Sequence, residues 1–266
     1  MVLPEFSGSR DEQASALASA LEGLYLEEPP LARPSPFPGG RKAALRALAD
    51  FDVRGYASRR NHVPADLTRV SRLSPYIRHG VLTLREVAVS VRERFGVSID
   101  SVKYWAELGW RAFWRHVYRV LQEAIENDIE EPKVPLRRTT ELPAAIAEAR
   151  TGLVCMDEPL AELVRNGTMH NHARMWVAAW MIHHLGIDWR TGARFFYTHL
   201  LDGDPASNSL SWQWVASTFS HKPYFFNRDN VMKYTEGRWC ARCTAECPFQ
   251  GSYDEVAARL FSEGRR

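Results

Sequence analysis

The chain has 266 residues, 45% hydrophobic and 25% charged, proportions that exclude a wholly disordered or collagen-like protein. Lys+Arg 34 against Asp+Glu 32 leave +2, which by itself does not indicate a nucleic-acid binder. Six acids against two bases put residues 1–40 at −4, so the remainder carries +6, a modest basic excess on the folded part.

Met1 to Gln13 lacks the basic start and apolar stretch of a signal peptide. A short acidic helix is expected from Asp11 to Leu26, then a linker, because Pro29, Pro30, Pro34, Pro36 and Pro38, followed by Gly39-Gly40, cannot continue a helix. From Arg41 the pattern is helical almost throughout. Arg41–Phe51 is short, and Leu82–Phe95 stops before Gly96. A long helix is expected over Ile99–Asn127, with Trp110, Trp114, Val117, Leu121 and Ile125 at three- and four-residue steps. Asp157 and Pro159 predict a helix start and Gly167 its end. Met169–Leu185 ends at Gly186, and Thr191–Leu201 follows. Asp204-Pro205 predicts a helix running through Trp214, and Tyr253–Phe261 closes the chain. There is no alternating β pattern of useful length, no repeat, no P-loop and no GxGxxG. The expected fold is all-α, with residues 1–40 as helix and linker, 41–235 as a helical domain, and 236–266 as a cysteine-containing segment packed on it. The best apolar run, Trp176 to Ile187, is broken by His183 and His184, so no membrane span is expected and the location expected is the cytoplasm.

Three constellations carry chemistry. Glu107, Trp110, Arg111 and Trp114 share one helical face; the mixture suits either the wall of a pocket for a planar, polar ligand or an amphipathic seam with one ion pair. In the second, Asn171, Arg174 and Met175 share a face, whereas His170 and His172 point apart and do not form a metal pair. In the third, Asp202 and Asp204 flank Gly203 at a helix start, and Asn208 lies one turn before Trp212. Those carboxylates serve as caps, or Asp202 partners Arg174 if that cation is buried.

Four segments occur in order: Ser71-Arg72-Leu73-Ser74-Pro75-Tyr76, Glu107-Leu108-Gly109-Trp110-Arg111-Ala112-Phe113, Met169-His170-Asn171…Arg174-Met175, and Asp202-Gly203-Asp204…Asn208…Trp212-Gln213-Trp214. Together, from roughly Gly40 to Tyr234, they resemble the helical FAD-binding domain of the photolyase/cryptochrome family. Members normally begin with an α/β antenna domain for which this length leaves no room, so the chain resembles the stand-alone short members. The resemblance implies that Tyr56, Ser71, Leu73 and Ser74 hold the FAD phosphates, and that Arg111, Asn171, Arg174, Asp202 and Asp204 surround the folded flavin. Asn208 matches the residue facing flavin N5. Glu107, Trp110, Met175 and Trp214 match the lesion pocket, where indoles offer stacking surfaces to a flipped base. Trp212 and Trp189 match the first two members of the electron relay.

There are departures. Val70 stands where a threonine is usual, and Thr168 replaces a common tryptophan. No tryptophan lies between Trp114 and Trp176, so Trp176 and Trp180 are candidates for an alternative route. Asn171 stands where enzymes that repair 6-4 photoproducts have a second histidine, which favours the cyclobutane dimer.

Cys240, Cys243 and Cys247 form C-x2-C-x3-C before Pro248, and Cys155 is the fourth thiol. One branch of the family carries a [4Fe–4S] cluster on one mid-domain cysteine and three near the C-terminus, and Cys247-Pro248-Phe249 resembles that ending, although the loop after Cys243 is shorter. The resemblance implies these four as cluster ligands; zinc and four unlinked thiols are the alternatives. The implied function is light-dependent repair of UV-induced pyrimidine dimers by electron transfer from reduced FAD, a carbon–carbon lyase activity. A flavin light or redox receptor without repair activity is the alternative. UV-damaged DNA is then the partner, with Arg54, Arg59, Arg60, Arg69, Arg72 and Arg78 available for phosphate contacts, and a separate antenna or signalling protein as a further one.

Overall fold

The computed structural model describes residues 7–21, 35–63 and 70–262. They fall into two units, 1–38 and 39–266. In the first, Ser9 and Glu12 form a capping box that starts α1 (Arg10–Ala20). The expected continuation through Glu22 to Leu26, and Pro29, Pro30 and Pro34, lie outside the described residues.

The second unit is all-α. Its one β feature among the described residues is an isolated bridge between Thr139 and Ile187. α2 (Arg41–Asp50), α3 (Tyr56–Arg59) and α4 (Ser74–Arg78) are short. α5 (Leu84–Phe95) opens on a Thr83/Glu86 capping box and ends at Gly96, whose φ of 65° disfavours any side chain. α6 (Ile99–Leu121) stops short of the expected Asn127: Gln122 turns left-handed, its amide donates to the Arg119 carbonyl, and a 3-10 turn follows over Gln122–Glu126.

After α7 (Ala144–Ala147), the helix expected to begin at Asp157 begins earlier, as α8 (Val154–Asn166). The Asp157 carboxylate accepts from the backbone N–H groups of Thr151 and Gly152 and from the Thr151 hydroxyl, closing the preceding turn instead of capping a helix. Pro159 sits inside α8, where its missing N–H cannot serve the Cys155 carbonyl one turn back. The stretch expected as one helix to Leu185 is α9 (Asn171–Ala179), capped by the His170 ring, followed by a π turn over Trp180–His184. α10 (Trp189–His199) and α11 (Pro205–Ala216) pack against each other, the latter capped by Asp204 with proline at its first position. α12 (Arg228–Thr235), unforeseen in the sequence, precedes a 3-10 turn at Cys240–Arg242 and α13 (Tyr253–Phe261).

The core gathers α8 to α12 around Trp176, Trp189, Trp212, Phe196 and Phe226, all buried, each large side chain contributing about 1.5–3 kcal/mol. The α10–α11 approach depends on Gly192: a Cβ there would lie 2.2 Å from the Trp212 ring, so any other residue forces the indole out. Among the described residues, no helix is long and apolar enough to cross a membrane.

Candidate functional site

Asp202 is the centre of a charged cradle. Its side chain is only 7% exposed, and Arg174 Nη2 stands 3.0 Å from each of its oxygens. Arg174 Nε also donates to the Met169 carbonyl, 2.9 Å away, which orients the guanidinium. Burial alone would raise the Asp202 carboxyl; the Arg174 charge, a hydrogen bond from Ser74 and the Arg111 charge outweigh it and hold the group below the ordinary carboxylate range. Arg111, from the middle of α6, is pushed down by burial, which the charges of Asp204 and Asp202 oppose. Its buried Nε has no hydrogen-bond partner among the described residues. Asp204 accepts from the Ser207 backbone N–H at 2.9 Å and hydroxyl at 2.7 Å.

The rest of the cradle is tied to that centre. Arg78 donates from Nε to the Gly203 carbonyl, and His79 Nε2 lies 2.8 Å from the Leu201 carbonyl, so the segment carrying Ser71, Leu73 and Ser74 is stitched to the Asp202 turn. Leu73 is buried, and its N–H donates to Ser71 Oγ at 3.4 Å. Ser71 bonds Tyr104, whose ring meets Tyr56 edge-on at 5.1 Å. Asp100 fixes Tyr56 by accepting from the N–H groups of Gly55 (2.7 Å) and Ala57 (2.9 Å). Two residues are less engaged. Asn171 is exposed and, among the described residues, reaches only Met175 Sδ, at 4.0 Å; Asn208 turns its amide to the Ala193 carbonyl, 2.7 Å away, across the α10–α11 contact.

The aromatic residues form a rim. Trp110 is 50% exposed and Trp214 37%. Trp110 packs on Trp114 (centroids 5.6 Å), Trp114 on Phe219 (5.5 Å), and the next residue, Ser220, donates its hydroxyl to the Trp214 carbonyl at 2.8 Å. Trp214 in turn packs on Tyr224 at 5.6 Å. Glu107 beside Trp110 is paired with Lys103 Nζ (2.7 Å) and Arg60 Nε (3.4 Å). Trp212 is buried edge-on to Phe196 at 5.0 Å; Trp189 is buried, donates to Asp128 at 2.8 Å and carries Arg190 over its ring. Thr168 uses its hydroxyl on Glu162.

Several of the arginines expected as phosphate contacts also have partners within the chain, Arg54 and Arg59 while remaining exposed. Arg54 pairs with Asp52, Arg59 donates to the Arg54 carbonyl, Arg60 to Glu107 and the Ala57 carbonyl, and Arg78 to Gly203. Arg72, at φ 53°, is exposed, and Arg69 lies outside the described residues.

The four cysteines line one cavity of about 330 Å³, together with Arg228, Trp239 and Phe249 among others. Burial raises the Cys155 thiol, and its nearness to Cys240, Cys243 and Cys247 raises it further. Among the described residues no group of three or more His, Cys, Asp or Glu is arranged to hold a single metal ion. The sequence motif covered three of the thiols; the approach of Cys155 is a product of tertiary packing.

Known proteins are similar in sequence and fold. The family described as FAD binding domain of DNA photolyase matches residues 104–239, over half of the chain, spanning α6 through Trp239. The chain belongs to the photolyase/cryptochrome family. A deoxyribodipyrimidine photo-lyase of Thermus thermophilus is 32% identical over 86% of this chain and 56% of its own. One of Alkalihalophilus pseudofirmus is 32% identical over 70% and 40%. Among solved structures, the photolyase FAD-binding domain matches a class III photolyase from Agrobacterium tumefaciens (TM-score 0.69, 29% identity, 85% of this chain and 51% of that one) and a Synechocystis cryptochrome (TM-score 0.71, 25% identity, 82% and 50%). The chain thus spans about half the length of the relatives it matches.

Asp100, Tyr104, Arg78, His79 and Gly192 hold the candidate site in shape; Arg78 is named in the sequence only as a phosphate contact, and the other four are not singled out there. Asp100 reads there as an ordinary acid in the first turn of a helix. Nothing local distinguishes it.

Proposed function

We propose that this domain binds FAD in the cradle of Arg111, Arg174, Asp202 and Asp204 and splits cyclobutane pyrimidine dimers in DNA under light. The observation that carries the reading is that two helices supply both halves of the site. α6 bears Arg111 within one turn of Glu107 and Trp110, and α11 starts at Asp204 and bears Trp214. The unpartnered Arg111 Nε and the carboxylates facing it fit a planar ligand with several acceptors and donors. When bound, reduced FAD would supply light-driven one-electron chemistry, an electron lent to the dimer and returned, so that breaking the two carbon–carbon bonds is redox-neutral overall. The chain's own residues do the rest. Tyr56, Ser71, Leu73 and Ser74 hold the phosphates, Asn171 and Asn208 border the flavin, and Trp110, Met175 and Trp214 receive the flipped bases beside Glu107. Buried Trp212 and Trp189 would pass electrons to the bound flavin, with Trp176 and Trp180 as a second route.

The test is an oligonucleotide carrying a defined thymine dimer, incubated with photoreduced protein under blue light and in the dark. Restoration of the intact thymines only in the light is the expected result. Intact dimers in both arms, with flavin bound, would favour a receptor that signals to a protein partner.

We also propose that Cys155, Cys240, Cys243 and Cys247 hold a [4Fe–4S] cluster that clasps the C-terminal segment to the helical domain in the cytoplasm. Thiols spaced around a cavity suit a cluster, whose irons each take one thiolate, better than a lone zinc, which needs four ligands at about 2.3 Å from one point. Linking Cys155 to Cys240, 85 residues on in the sequence, removes chain entropy from the unfolded state as a cross-link does. Anaerobic protein should contain about four irons and four sulfides per chain. One zinc per chain, or no metal, would replace the cluster.

A further inference from the structure

Trp189 is held between a carboxylate and a guanidinium. Its ring is buried at the start of α10, and Gly192, one turn on, lies against the Trp212 ring, so this turn brings the two indoles of the proposed relay into one neighbourhood. The Trp189 indole Nε1 donates to Asp128 Oδ1 at 2.8 Å, and the Arg190 guanidinium stands over the ring face, 4.6 Å from its centroid. Arg138 and Arg190 both pair with Asp128, Arg190 at 3.1 Å, and both also reach Asp188, at 3.4 and 3.3 Å. Two carboxylates and two guanidiniums thus close around one indole. A tryptophan used only for packing needs one acceptor for its N–H, which any carbonyl supplies; an ionised carboxylate is more than that requires. The sequence adds a second observation. No tryptophan lies between Trp114 and Trp176, so the chain offers no further indole there to re-reduce Trp189.

We propose that Asp128 is the proton acceptor of the relay and that Trp189 ends the relay as a neutral radical. The inference rests on the proposed flavin and relay and deepens them. The light-excited oxidised flavin is the oxidant: it takes one electron from Trp212, which takes one from Trp189. An indole that has lost an electron is a far stronger acid than the intact ring. Its N–H bond breaks and an O–H bond forms on Asp128, while the electron stays with the flavin, so atoms and charge balance. An added thiol then restores Trp189 by giving it a hydrogen atom. The surroundings favour this step from both sides. Arg190 over the ring repels a positive indole and does not repel a neutral one. The Asp128 side chain is 20% exposed, so the proton can pass on to water and the electron does not simply return. Asp128 is ionised beforehand: burial raises its carboxyl, but hydrogen bonds from Arg138 and Trp189 and the charges of both arginines outweigh that and hold it below the ordinary range.

The test is transient absorption after a blue flash on FAD-loaded protein, because neutral and cationic indole radicals absorb in separate bands. Wild type gives the neutral radical, and its formation slows in D2O. Asp128→Asn keeps an oxygen that accepts the indole N–H but is too weak a base to take the proton. FAD content and near-UV circular dichroism are then unchanged, whereas the neutral radical and its isotope effect are lost. Asp128→Glu, which retains the carboxylate, restores both, and Trp189→Phe abolishes the neutral radical. An Asp128 that merely held the indole in place would tolerate asparagine. A wild-type radical that stays cationic overturns the proposal without recourse to any variant. So does a neutral radical in Asp128→Asn equal to that of wild type, or one that survives Trp189→Phe, because the electron then comes from another donor such as Trp176 or Trp180. Protein that takes up no FAD overturns this inference together with the flavin reading. Protein that forms the Asp128-dependent radical but splits no dimer supports the inference and overturns only the repair reading.

Discussion

Asp202→Ala lowers the unfolding free energy by about 3–5 kcal/mol and empties the flavin cradle. Two guanidiniums, Arg174 and Arg111, face this one carboxylate, and its removal leaves Arg174 with only a backbone carbonyl and Arg111 with Asp204. Breaking a buried pair from one side costs this much because a charge stays buried without compensation. Arg174→Ala is milder. The remaining Asp202 keeps the Ser74 hydrogen bond and the Arg111 charge, and it can take up a proton. Asp202→Asn, which preserves shape and removes charge, falls between the two alanine variants if charge pairing is the cause. Urea unfolding and FAD release by heating measure both quantities on the same samples. Wild-type stability and flavin content in Asp202→Ala would show that the pair does not support the cradle.

The domain unfolds in mild acid, near pH 5. Burial pushes His170 down to about 3, and His172, His183 and His184 down to about 4. For His170 the geometry agrees: Nδ1 accepts from the His172 N–H at 3.2 Å, so that nitrogen cannot carry a proton without losing the bond. In an unfolded chain these rings titrate near about 6.5. Their stabilising effect is therefore complete above that value. As the pH falls towards the folded values, the unfolded state binds the extra protons, and stability drops by about 1.4 kcal/mol per histidine per pH unit. Four together consume a typical margin of about 5–15 kcal/mol within a few pH units. Asp202 acts in the same direction but lower, since a depressed carboxyl loses its contribution only below the ordinary carboxylate range. Near-UV circular dichroism from pH 7.5 downwards gives the midpoint. His170→Asn, whose side-chain oxygen can replace Nδ1 as acceptor, moves it to lower pH. Native packing that persists through pH 4 would contradict the assignment.

What the sequence made legible follows from locality. Asp204-Pro205 marks a helix start because cap and proline act within one turn, and α11 begins there. Arg174 with Asp202 was readable as a pair because a buried cation requires an anion and Asp202 stood beside the next helix start. The α8 start misled for the same reason. Asp157 and Pro159 imitate a cap and first-turn proline, whereas the true start at Val154 has no side-chain cap, so tertiary packing outweighs the local signal. Charge patterning places arginines along residues 54–78 but does not show which carbonyls the fold turns towards them, as at Arg59 and Arg78. The meeting of Cys155 with the C-terminal thiols follows from the family resemblance and not from any spacing rule, whereas the packing of Phe113 and Phe219 on Trp114 depends on contacts that neither encodes.

The central claim is that Arg111, Arg174, Asp202 and Asp204 form a flavin cradle, and the most direct measurement is the cofactor itself. Purified protein, heated to release non-covalent ligand and resolved by chromatography, should yield close to one FAD per chain and lose its yellow colour to the supernatant. Colourless protein that takes up no FAD on reconstitution would contradict the account.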